Sequence, residues 1–175
     1  MADNVQKQDD TQYTKEFAAR LMAVQAYYQT LQNKKPIKSV IPEYLERGAV
    51  HVDNEEDGDE GDDTLKPQGT LFKKILSDLD QRLAEVDEIV HANLNAKIQR
   101  PKKDEEGVFE TFTKEPEPLL KAILFCAVCE LLCNLDEDTP LIINDYLNVT
   151  HGYYERQQVS LVNGILDKVS GLLRG

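Results

Sequence analysis

Leu119-Leu120-Lys121-Ala122-Ile123-Leu124-Phe125-Cys126-Ala127-Val128-Cys129-Glu130-Leu131-Leu132 is the stretch on which the fold turns. Only Lys121 and Glu130 interrupt its apolar character. At 3.6 residues per turn such a segment is hydrophobic on all sides, which is the pattern of a helix surrounded by protein. It falls short of the ~20 residues of a membrane span, so it reads as the central helix of a globular core.

Downstream, Thr139-Pro140 supplies an N-cap followed by Pro at the first helical position, with Asp136, Glu137 and Asp138 near the positive end of the helix dipole. That helix is expected to stop at Gly152. A last helix carries Val159, Val162, Leu166, Val169 and Leu172 on one stripe. Gly164 sits in its middle, where glycine costs ~1 kcal/mol relative to alanine, so a close packing contact is expected there. Upstream, Phe72, Ile75, Leu79, Leu83, Val86 and Val90 keep helical register and predict one long helix with Thr70 as its N-cap. Nearer the N-terminus, Phe17, Leu21, Val24, Tyr28 and Leu31 form the apolar stripe of a first helix, ended by Lys34-Lys35-Pro36. A shorter helix over residues 37–46 follows, with Gly48 as its stop signal. Strand-like alternation bounded by hairpin turns is absent, and no repeat of fixed period is present. The expected fold class is all-α, with two helical bundles packed together. They correspond to residues 13–94 and 118–175, joined by a linker over 95–117 that contains Arg100-Pro101-Lys102-Lys103 and Pro116, with Pro118 directly after it.

The chain has 175 residues, 41% of them hydrophobic, enough for one core and one domain over 13–175. Its formal charge of -12 argues at first against a nucleic-acid partner. Much of that charge sits in one place: Asp53, Glu55, Glu56, Asp57, Asp59, Glu60, Asp62 and Asp63 lie in a run with no base, and Asp3, Asp9 and Asp10 lie in the first twelve residues. The remaining body is nearly neutral. Residues 1–12 are expected to be a disordered tail and 49–66 a flexible loop, because neither buries enough apolar surface to offset ordering entropy. Asp53, Glu55, Asp57 and Gly58 match the first ligand positions of an EF-hand, but Thr64 stands where the loop needs its bidentate Glu, so a solvated charge run is preferred. Near any phosphate-binding face the run would slow and weaken binding of a nucleic acid at low salt. The polar N-terminus has no signal-peptide pattern, and three cysteines in one apolar run suit a reducing compartment, so a cytoplasmic location without membrane attachment is expected.

Cys126, Cys129 and Cys133 share one helix face, which permits a metal-site reading. His51, His91 and His151 lie far away in sequence, and no second cysteine pair exists, so core cysteines are the better reading, with no metal and no cofactor. No Walker loop, Gly-x-Ser-x-Gly or Gly-x-Gly-x-x-Gly is present, and no enzyme activity is assigned. A binding surface remains. Glu16, Arg20, Ala23 and Tyr27 fall on a strip beside the first helix's stripe, where Arg20 and Tyr27 could meet a phosphate and a base. The plainer alternative is that Arg20 snorkels and Tyr27 half-buries. Lys34, Lys35 and Lys38 form a second basic group, and Lys97, Arg100, Lys102 and Lys103 a third; each reads equally as soluble surface.

The segment Ala19-Arg20-Leu21-Met22-Ala23-Val24-Gln25-Ala26-Tyr27-Tyr28-Gln29 resembles the opening pattern of the NusB family. Ile123-Leu124 through Glu130-Leu131, then Ile143-Asn144-Asp145, then Val162-Asn163-Gly164-Ile165-Leu166-Asp167-Lys168 are similar to further family blocks in the same order. Thr150-His151-Gly152-Tyr153-Tyr154-Glu155-Arg156 looks like the loop of alphaproteobacterial members, and Phe72 with Asp87 fits the middle helix.

The resemblance implies two three-helix bundles set roughly perpendicular. It also implies a bacterial antitermination factor that binds boxA-type RNA together with NusE, a small-subunit ribosomal protein, within the transcription elongation complex. Lys15, Arg20, Tyr27 and Arg156 are then the candidate RNA contacts. Gln25, Tyr28, Asn144, Asn163 and Lys168 are motif positions that either bind or support the fold. Where family members carry an Arg-rich opening segment, residues 13–20 keep only Lys15 and Arg20 as cations. The alternative is therefore a helical protein-interaction module that keeps NusE binding and has lost most specific RNA binding.

Overall fold

The Thr14 hydroxyl accepts the Phe17 backbone N–H at 3.0 Å and starts α1 (Lys15–Asn33). Ala18, Ala19, Ala23 and Ala26 are all fully buried on this helix, and their small side chains let neighbouring helices approach from several directions. The computed structural model describes residues 13–48, 50–51, 64–98 and 115–175. The N-terminal tail, the acidic run with its calcium-loop and electrostatic readings, and Arg100, Lys102 and Lys103 lie outside the described residues.

Lys34 takes a left-handed conformation (φ 52°) to cap α1, and Pro36 opens α2 (Ile37–Arg47). Gly48 closes α2 at φ 67°, donating its N–H to the Tyr44 carbonyl, a geometry that glycine adopts without steric cost. Two minimal strands that periodicity could not reveal follow: β1 (Val50–His51) and β2 (Thr64–Leu65) pair antiparallel, Val50 opposite Leu65. They set His51 opposite Thr64.

The long helix expected over Phe72 to Val90 is two helices, α3 (Gly69–Gln81) and α4 (Leu83–Ile98). Arg82 leaves helical geometry at φ -116°, ψ 24°, with neither Gly nor Pro to mark the bend. Its side chain turns to Glu85 in the first turn of α4, 2.7 Å away. The bend directs α3 against α1, α2 and α5, and α4 against α5 and α7. Gln68, not Thr70, is the N-cap of α3: its side-chain oxygen accepts the Leu71 N–H at 2.7 Å, while its own N–H bonds the Lys15 carbonyl at 2.9 Å.

The second half contains α5 (Pro118–Cys133), α6 (Thr139–Tyr153) and α7 (Arg156–Arg174). Every residue of α5 from Ala122 to Leu131 is buried, as its all-round apolar sequence predicts. It touches α1, α3, α4, α6 and α7, and its interface with α1 is the most extensive between helices among the described residues. The fold among the described residues is all-α apart from the two short strands: α1–α3 form one bundle, α5–α7 the other, and α4 lies along the second. Cys126 and Cys129 are fully buried, whereas Cys133, expected in the core, is half-buried at the end of α5, 3.7 Å from the Arg82 guanidinium. Among the described residues no group of three or more His, Cys, Asp or Glu side chains is arranged to hold a metal ion. No helix among them is long and apolar enough to cross a membrane.

Arg174 locks the turn between α5 and α6. Its guanidinium donates to the carbonyls of Leu131 (2.8 Å), Glu137 (2.8 Å), Asn134 (2.6 Å) and Glu130 (3.2 Å), and to the Thr139 hydroxyl (3.1 Å). Thr139 is thereby engaged inside the helix, and the N-cap position falls on Asp138 rather than on Thr139. α6 runs one residue beyond Gly152, and Leu172, placed on the apolar stripe of α7, is 71% exposed. Gly164 is half-buried on α7, whose Val162, Ile165 and Leu166 are fully buried. Gly164→Leu is expected to destabilise the fold through overpacking, typically by about 1–3 kcal/mol, and so to lower the melting temperature; a melting temperature equal to wild type would show that no close contact exists there.

Candidate nucleic-acid interface

α1 presents two very different rows of polar side chains. The first row is inside the protein. Arg20 has no exposed surface; its Nε lies 2.8 and 3.2 Å from the two Glu130 carboxylate oxygens and its Nη1 2.9 Å from Asp145 Oδ2, with Glu137 at 4.0 Å from Nη2. This guanidinium ties α1 to α5, α6 and the turn between them. Tyr27 is 3% exposed and stacks on Phe125 with ring centroids 5.7 Å apart; burial pushes its phenol upward. Arg20 and Tyr27 are therefore corrected from candidate RNA contacts to core residues. The physical reason is the central position of α1, which is packed by α2, α3, α5 and α6, so that the strip beside its apolar stripe is covered as well.

One guanidinium cannot neutralise three carboxylates. Burial pushes Glu130 up to about 7 despite the Arg20 contacts, with Asp145 and Glu137 adding to the rise. Asp145 is raised for the same reason, burial first. A carboxyl whose folded value lies above its unfolded one contributes stability that is present below the unfolded value and lost as pH rises through the folded one. Unfolding free energy should therefore fall as pH rises from the ordinary carboxylate range to about 7, and Glu130→Gln should flatten that slope. Denaturant unfolding across this window measures it, and an unchanged slope in the variant would assign the proton elsewhere.

The second row of α1 faces solvent. Gln25, Tyr28, Gln29 and Gln32, spaced at three and four residues, line one wall of a groove of about 440 Å³. Tyr44 and Arg47 of α2, Leu119 of α5 and Tyr153 of α6 complete it. Gln25 Nε2 donates to the Tyr153 hydroxyl at 3.1 Å, the Tyr44 hydroxyl donates to Gln29 Oε1 at 2.5 Å, and Arg47 lies over the Tyr44 ring at 4.7 Å. Gln25 and Tyr28, motif positions in the sequence, thus come together, and Tyr28 moves from the core stripe to this surface.

The remaining candidates are dispersed. Lys15 is exposed at the start of α1, and Arg156 at the start of α7. Asn144, Asn163 and Lys168 are exposed, so neither asparagine serves a buried backbone group. Gln29, Gln32, Tyr44, Arg47 and Tyr153 were missed by the sequence reading. The helical spacing of Gln25, Tyr28, Gln29 and Gln32 was available as a signal; the contributions of α2 and α6 come only from tertiary packing.

The family model described as NusB family matches residues 18–171. The chain is 31% identical over 155 residues to the transcription antitermination protein NusB of Gluconobacter oxydans, covering 87% of this chain and 84% of that one. It is 26% identical over 174 residues to the protein of the same name from Bartonella tribocorum, covering 99% of each. Among solved structures, T. maritima NusB superposes with a TM-score of 0.57 at 15% identity, over 87% of this chain and 88% of that one, which is a likeness of fold. With the profile match covering both bundles from α1 to α7, the chain belongs to the NusB family.

Proposed function

We propose that this protein is a bacterial transcription antitermination factor that binds boxA-type RNA together with NusE, acting in the cytoplasm within the transcription elongation complex. The observation that carries this reading is family membership over residues 18–171, in relatives named for antitermination. The role is one of binding rather than catalysis. Lys15 and Arg156 remain as exposed cations available to phosphate, and the tyrosine-glutamine groove supplies rings and amides of the kind that meet unstacked bases.

One observation favours a second reading. Arg20, one of the two cations kept in the opening segment, is spent on Glu130 and Asp145. A protein that keeps NusE binding with little specific RNA affinity of its own fits that loss. Fluorescence anisotropy of labelled boxA RNA against a scrambled RNA, with and without NusE, separates the two. Discrimination that develops when NusE is added supports the first reading. Tight NusE binding without discrimination in either condition rejects it in favour of the second.

A further inference from the structure

We propose that His91 is a pH-sensitive latch between α4 and the chain that enters α5: as an imidazolium it holds Glu115, and as a neutral ring it releases it. The latch uses none of the residues that line the groove on α1 and is independent of the RNA-binding reading.

His91 lies one turn after Asp87 on α4, and its ring is clasped from both sides. Nδ1 is 2.9 Å from the Asp87 carbonyl oxygen and 3.1 Å from Asp87 Oδ1, while Nε2 is 2.9 Å from Oε1 of Glu115, just ahead of α5. A carbonyl and a carboxylate only accept, so each ring nitrogen needs a hydrogen, and a neutral imidazole carries one. Both bonds therefore coexist only in the imidazolium. The Asp87 carbonyl belongs to the same helix and stays within reach of Nδ1, so the remaining hydrogen stays there on deprotonation and a lone pair then faces Glu115. Glu115 is 65% exposed and outside any helix, so it is the partner that leaves.

The surroundings set the direction of the switch. Burial disfavours the charged ring, but the Asp87 carbonyl and the Glu115 carboxylate outweigh it and hold His91 above its ordinary value. Phe125 of α5 meets the ring edge-on at 6.4 Å, and Lys121, 5.2 Å from the Phe125 centroid, is 3.9 Å from the other Glu115 oxygen. α1 contributes Tyr27, stacked on Phe125 and kept neutral by burial. Among the described residues, neither α3 nor α7, which also pack on α4, forms an ion pair with the ring. With His91 charged, Glu115 bridges α4 and α5; with it neutral, only Lys121 holds the carboxylate. Two residues on, the Tyr154 hydroxyl donates to Glu117, so release is confined to the chain ahead of that tether. The latch is thus closed below the ordinary histidine value of about 6.5 and opens as pH rises through the raised folded value.

Imidazole titration by NMR in the full chain tests the latch, with His91→Gln assigning the resonance. The His91 midpoint should lie above about 6.5 in wild type and drop toward that value in Glu115→Gln. Overhauser contacts between the His91 ring and the Glu115 methylene protons should be present at about pH 6 and vanish at about pH 8.5. Denaturant unfolding of wild type, His91→Gln, Glu115→Gln and the double variant then closes a thermodynamic cycle. Its coupling should be about threefold in the folding constant at about pH 6, the scale of a half-exposed ion pair, and disappear at about pH 8.5. Glu130 is intact in all of these proteins, so its own titration cancels from the cycle. A wild-type midpoint at or below the ordinary value, or ring contacts to Glu115 that persist at the higher pH, would overturn the latch even if a variant failed to fold. A coupling equal at both pH values would make the contact a fixed hydrogen bond and overturn it as well.

Discussion

Arg20→Ala is expected to destabilise the protein by about 3–5 kcal/mol, the range for removing one partner of a buried ion pair. Glu130, 2% exposed, and Asp145 would be left facing each other with no cation between them. Most of that cost is the stranded carboxylate rather than the worth of the pair, so Arg20→Met combined with Glu130→Leu should recover much of it. Denaturant unfolding monitored by circular dichroism gives the number. A loss below about 1 kcal/mol, the scale of a surface ion pair, together with weakened RNA binding, would return Arg20 to the RNA-facing surface.

Arg174→Ala should be the next most damaging single change, at about 2–3 kcal/mol, in the range for losing hydrogen bonds to a charged donor. Five acceptors, in the last turn of α5, the connection to α6 and the first residue of α6, depend on this one guanidinium. Arg174→Lys should rescue little, since an ammonium on a flexible stem cannot span acceptors that a planar fork reaches together. Full rescue by lysine would show that charge near the end of α5, rather than fork geometry, is what stabilises the turn.

The elements legible in the sequence were those whose burial follows a simple period. α5 announced itself because it is apolar all round, and α7 because Val159, Val162, Leu166 and Val169 keep one stripe. α1 was legible as a helix but not in its roles. Packed on several sides, it buries Arg20 and Tyr27 beside its apolar stripe and leaves Tyr28 at a groove, an inversion that no single-stripe reading contains. The bend at Arg82 was hidden because Leu79, Leu83 and Val86 stay in helical register across it. Half of the candidate site was readable as the Gln25 to Gln32 row, whereas Tyr44, Arg47 and Tyr153 join it through contacts distant in sequence.

The pairing of α1 with α5 also bears on how the chain reaches its native state. Arg20 and Glu130 are 110 positions apart, so α1 waits for most of the polypeptide to be synthesised before its charged centre has a counter-ion. Until α5 leaves the ribosome, the first three helices would expose the alanine-lined face of α1 together with an unpaired guanidinium. The two bundles are thus expected to be one cooperative folding unit rather than two. A fragment of residues 13–98 should show far less helix by circular dichroism than its share of the native protein, and native-like helicity in that fragment would mean that the first bundle forms alone.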